Sequence, residues 1–131
     1  MALFECLIPM LLAGFPNRGL RLGEPPGPCA VFSAIHPEVG DIEISDDGDE
    51  VTVVVGHFTH KHFDNYDTGL SEAEVAERIA QDVVSFLEDL FSDKIVLWGS
   101  HRGTGGCYER DQKPPRFFGR RRKKYVWSGP L

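Results

Sequence analysis

The sequence predicts a single α+β domain: an antiparallel sheet of four or more strands, in the order β-β-β-α-β, with one long amphipathic helix packed on one face. Three observations carry this prediction. Residues 41–55 alternate apolar and polar side chains about an Asp-Gly pair, as a half-buried hairpin does. A capping box at Ser71–Glu74 opens a stretch with helical apolar spacing. The composition, 41 % hydrophobic and 26 % charged in 131 residues, is globular and long enough for one core without metal or disulfide staples.

Taken in order, the start MALFECLIPMLLAGF is apolar but has no Lys or Arg before it, contains Glu5 and is interrupted by Pro9. It is too short to span a bilayer and reads as core, with no membrane role. Residues 16–28 hold four Pro and three Gly and read as a loop. Cys29–Ile35 is a first strand, stopped by His36-Pro37. Asp41–Ser45 and Glu50–Val55 form the hairpin. With Asp47-Gly48 as its two-residue loop, Ile44 faces Val51 and Ile42 faces Val53, which puts the apolar pairs on one face. In the helix, Leu70 and Val75 are placed as a hydrophobic staple; Ile79, Val83, Phe86, Leu87, Leu90 and Phe91 continue the stripe to Ser92. Ile95–Trp98 is a buried strand, and Gly99–Gly106 reads as a flexible connection whose amides, beside Arg102, offer an anion cradle. The domain so defined covers 1–112. A basic tail, 113–131, either trails in solvent or adds an edge strand at 125–127.

Charge is unevenly divided. The net charge is −6, but residues 1–110 hold 7 basic and 19 acidic side chains, a balance of −12, and the remainder carries +6. Glu77, Glu88 and Asp89 on the helix, with Asp46, Asp47 and Asp49 on the hairpin, form a candidate docking face for a basic protein partner. Glu88 and Asp89 also sit in the last helical turns, where negative charge opposes the helix dipole. The three cysteines, Cys6, Cys29 and Cys107, are an odd number without a CxxC pair, as expected of free thiols in a cytoplasmic protein. Cys107 and His101 offer a nucleophile–base pair only on paper.

Three of the five histidines fall within His57–His62. On an extended strand His60 and His62 point to one face, and a His-x-His pair followed by Asp64 suits Zn²⁺. The run His60-Lys61-His62-Phe63-Asp64-Asn65 resembles the HxHxDH signature of metallo-β-lactamase-fold hydrolases, with Asn65 where that family has its final histidine. The resemblance implies a metal-dependent hydrolase using His60, His62 and Asp64. In the tail, Arg120, Arg121, Arg122, Lys123 and Lys124 lie among aromatics, a pattern that grips phosphates while rings stack on bases. Because the rest of the chain is strongly acidic, nucleic acid is expected only through this tail.

The reading favoured by these residues is a non-enzymatic, acidic protein-binding module, of inhibitor or immunity type, without a cofactor. The alternatives are the zinc hydrolase and nucleic-acid association through the tail. Oligomeric state is left open by the sequence.

Overall fold

The computed structural model describes residues 2–24, 26–100, 104–112 and 123–131. Among these are two helices, α1 (Ala2–Gly14) and α2 (Glu72–Phe91), and nine strands: β1 (Leu20–Leu22), β2 (Ala30–Phe32), β3 (Ile42–Asp46), β4 (Val51–Val55), β5 (Thr59–Phe63), β6 (Ile95–Ser100), β7 (Thr104–Glu109), β8 (Lys124–Val126) and β9 (Gly129–Pro130). The class is α+β, but the expected single sheet with one helix is corrected. There are two antiparallel sheets, ordered β1-β2-β3-β4-β5 and β7-β6-β8-β9.

The apolar N-terminal segment is the second helix. Leu3, Leu7 and Leu11 recur four apart and are buried, with Phe15 following them, and α2 is the neighbour that α1 contacts most. Pro9 lies inside α1 on its exposed side. A proline in mid-helix costs about 3 kcal/mol. Burying three leucines contributes roughly 1.5–3 kcal/mol each, so packing outweighs the breaker.

The β3–β4 hairpin forms with a different register. Ile42 pairs with Val55, Ile44 with Val53 and Asp46 with Val51. The turn is centred on Gly48-Asp49, not Asp47-Gly48; Gly48 takes φ 99°, Asp47 N–H donates to the Glu50 carbonyl at 3.0 Å, and Gly48 N–H donates to Asp46 Oδ1 at 2.8 Å. The shift moves each partner by two residues. Because side chains alternate with period two, the buried face is unchanged: Ile42, Ile44, Val51, Val53 and Val55 are all inside.

Helix α2 starts as its residues require. The Ser71 hydroxyl accepts from Glu74 N–H at 3.2 Å, and Glu74 Oε1 accepts from Ser71 N–H at 3.3 Å. Its buried stripe, from Ala76 through Ile79, Val83, Phe86 and Leu90 to Phe91, shares one core with α1 and both sheets. Phe15, Phe32, Phe91 and Trp127 meet edge-on or tilted at 5.1–5.7 Å between ring centroids. That cluster joins the end of α1, β2, the end of α2 and the C-terminal hairpin.

Two further expectations are corrected. The glycine run is not simply a connection: β6 continues to Ser100 and β7 begins at Thr104. A Cβ on Gly105 would lie 2.4 Å from the Phe58 carbonyl oxygen and 2.5 Å from that of Trp98. Glycine here permits close backbone approach within the second sheet and to the β4–β5 turn. The described end of the tail, 123–131, is a hairpin built into that sheet. Its strand β8 lies between β6 and β9 instead of at an edge, and Tyr125, Val126 and Trp127 are buried. Leu20–Leu22, within the segment expected to be loop throughout, is β1, and residue 25 of that segment lies outside the described residues. Among the described residues no helix is long and apolar enough to cross a membrane.

Candidate functional site

Strand β5 is one edge of the first sheet and β7 one edge of the second. A groove of about 610 Å³ lies where these strands meet α2. Helix positions 82, 85 and 89, spaced three and four apart, bring Asp82, Ser85 and Asp89 to it; Asp64 follows β5, and Glu109 ends β7. Phe63, Phe86 and Ile95 supply apolar lining. None of the four carboxylates has an ion-pair partner among the described residues. Lys61, the one Lys or Arg among the described lining residues, forms no ion pair with them: its Nζ stands 4.8 Å from the Phe86 ring centroid and 5.3 Å from that of Phe63.

The structure divides the six acidic residues singled out in the sequence. Asp89 lines the groove. Glu77 does not, and accepts from Gln81 Nε2 at 3.4 Å. Glu88 lines a separate recess of about 390 Å³ with Arg18, whose guanidinium lies 4.7 Å over the Phe91 ring. Asp46, Asp47 and Asp49 are at the hairpin end of the first sheet. Glu109 was missed because it lies beyond a glycine run that read as connection; only its pairing with Ile95 brings it opposite α2.

The histidines occupy the outward face of the first sheet. His60 pairs with Val54 and His62 with Thr52, and their rings are edge-on with centroids 5.1 Å apart. His57 is in the turn before β5. The third potential ligand predicted beside them, Asp64, lines the groove instead. Among the described residues, the group whose ligand atoms converge is Asp47, Glu50 and His62, all within 4.8 Å of one another. His62 Nδ1 is 3.2 Å from Glu50 Oε1 and 2.9 Å from Thr52 Oγ1, while the Thr52 hydroxyl donates to Asp47. Thr52 has one proton, given to Asp47, so its oxygen accepts from His62; this assigns the Nδ1 hydrogen to a bond shared by Thr52 and Glu50. The same end of the molecule holds Tyr66, whose phenol pKa is raised chiefly by the Asp64 charge and next by that of Asp49.

Cys107 also lines the groove. Burial pushes its thiol up, with Lys61 opposing, whereas an activated nucleophile needs the thiol lowered. Its paper partner His101, with Arg102, lies outside the described residues, as do Arg120, Arg121 and Arg122. Lys123 is exposed, and Lys124 opens β8 opposite Trp98.

No family model, curated protein or solved structure matches this chain. The six-residue likeness of His60–Asn65 to the metallo-β-lactamase-fold hydrolases is thus not accompanied by a family match.

Proposed function

We propose that this protein is a non-enzymatic binding module whose acidic groove receives a basic protein partner. The observation that carries the reading is the groove itself: Asp64, Asp82, Asp89 and Glu109 line it without an ion-pair partner among the described residues. Concentrated like charge disfavours the free protein, and a cationic surface relieves it while being steered toward it. Phe63, Phe86 and Ile95 add the apolar lining that a docked basic side chain needs for its hydrocarbon stem. The small size and the −6 net charge suit an inhibitor or immunity-type role.

The test is capture from the native host by wild-type protein and by three charge-reversed variants. One changes the groove (D82K, D89K and E109K), one the hairpin (D46K, D47K and D49K) and one the outer helix face (E77K and E88K). The groove variant is expected to lose the partner, or to bind it with association slowed by roughly tenfold or more and with weaker salt dependence. Equal capture and equal kinetics for wild type and groove variant would remove the groove as the binding site. Loss confined to the hairpin or outer-face variant would move it there.

A further inference from the structure

We infer that Asp47, Glu50 and His62 form a binding site for one divalent transition-metal ion of the zinc type, independent of the groove and its partner. The donors differ in kind and in origin. Asp47 and Glu50 bracket the β3–β4 turn, tied to each other by the Asp47 N–H to Glu50 carbonyl bond of 3.0 Å. His62 comes from β5, two positions along the outward face from His60, in register with Thr52 of β4. One nitrogen and two carboxylate oxygens within 4.8 Å of one another are a donor set suited to zinc and its neighbours, whereas calcium and magnesium favour all-oxygen shells.

Charge points the same way. Neither carboxylate has a Lys or Arg partner among the described residues; the only basic group in contact is the His62 imidazole. A histidine bridged to both carboxylates, directly or through Thr52, holds the arrangement in the metal-free protein. An ion entering there takes the Nδ1 lone pair while the ring keeps its hydrogen on Nε2, any second ring proton passing to solvent, and the carboxylates then face two positive charges instead of each other. Thr52 is a positioning residue: its hydroxyl touches both Asp47 and His62 and fixes where their ligand atoms stand. The metal would clip the hairpin turn to β5 and leave outer positions open to water.

The experiment is calorimetric titration of chelator-treated, tag-free full-length protein with zinc chloride alone, with elemental analysis after dialysis. Near-stoichiometric binding of one ion is expected. H62A and E50Q should lose it, and T52V should weaken it by about 10–100-fold while far-ultraviolet circular dichroism shows the fold retained. D64N should bind as wild type does. Absence of binding by the wild-type protein overturns the site outright. Binding that survives in H62A, or that is lost in D64N but kept in E50Q, also overturns it; the latter pattern assigns the ion to His60, His62 and Asp64.

Discussion

Asp93 carries more of the fold than a half-buried residue after a helix usually does. It follows α2 in the left-handed region, at φ 60°, where glycine is the ordinary choice and aspartate is tolerated. Its carboxylate accepts from Ser128 N–H at 3.1 Å and from the Ser128 hydroxyl at 2.6 Å, and its carbonyl accepts from an Arg110 guanidinium nitrogen at 3.3 Å. One side chain thus joins the helix end to the C-terminal hairpin across 35 residues of sequence. D93A should cost about 1–3 kcal/mol, from lost bonds and an unfavourable backbone angle. D93N keeps an acceptor, a donor and the tolerance for positive φ, and should cost less than half as much in a denaturant melt. Equal costs would mean that the backbone, not the Ser128 contacts, sets the value.

At the scale of the element, α1 and the glycine-rich strand show what local signals miss. The sequence leaves open whether the N-terminal segment is helical; Pro9 is unfavourable inside a helix, and the chain forms one because Leu3, Leu7 and Leu11 find a partner in α2. A helix of 13 residues is marginal alone. L7A, at a site with no exposed surface, should therefore destabilise the whole domain by about 2–5 kcal/mol, as L90A should on the facing helix. A cost below about half a kcal/mol for L7A in urea would show α1 to be an accessory that the core does not need. The hairpin teaches the complementary lesson. Its buried face follows from alternation alone, while its register depends on which dipeptide adopts the turn, and Gly48 serves equally well as first or second turn residue.

The whole molecule is an acidic body with few internal ion pairs: among the described residues only Arg21–Asp41, Arg78–Asp67 and the His62–Glu50 contact appear. Among the described residues, most of the negative charge therefore has no ion-pair partner. Raising ionic strength from a few millimolar to the physiological range shortens the Debye length from tens of ångströms to about 8 Å. The melting temperature should rise over that range, and the groove variant D82K, D89K and E109K should show a smaller rise because less repulsion is left to screen. Scanning calorimetry at several salt concentrations measures both slopes. Parallel slopes would mean that these carboxylates do not act on one another as a field.

The sequence by itself determined the α+β class, the cap and buried stripe of α2, the inward face of the hairpin, and the shared outward face of His60 and His62. All of these rest on short-range periodicity, three to four residues in a helix and two in a strand, which contiguous residues express directly. Tertiary structure decided the division into two sheets, the second helix, the interior place of β8, and the company that charged residues keep. Asp89 meets Glu109 in a groove, and His62 meets Glu50 and Asp47 across paired strands. Neither meeting leaves a periodic trace, because each depends on which strand lies beside which. That order is set by burying Leu7, Phe32 and Trp127 in one core, and such burial is non-directional: it favours any arrangement that removes the same apolar surface from water, and only packing distinguishes among them.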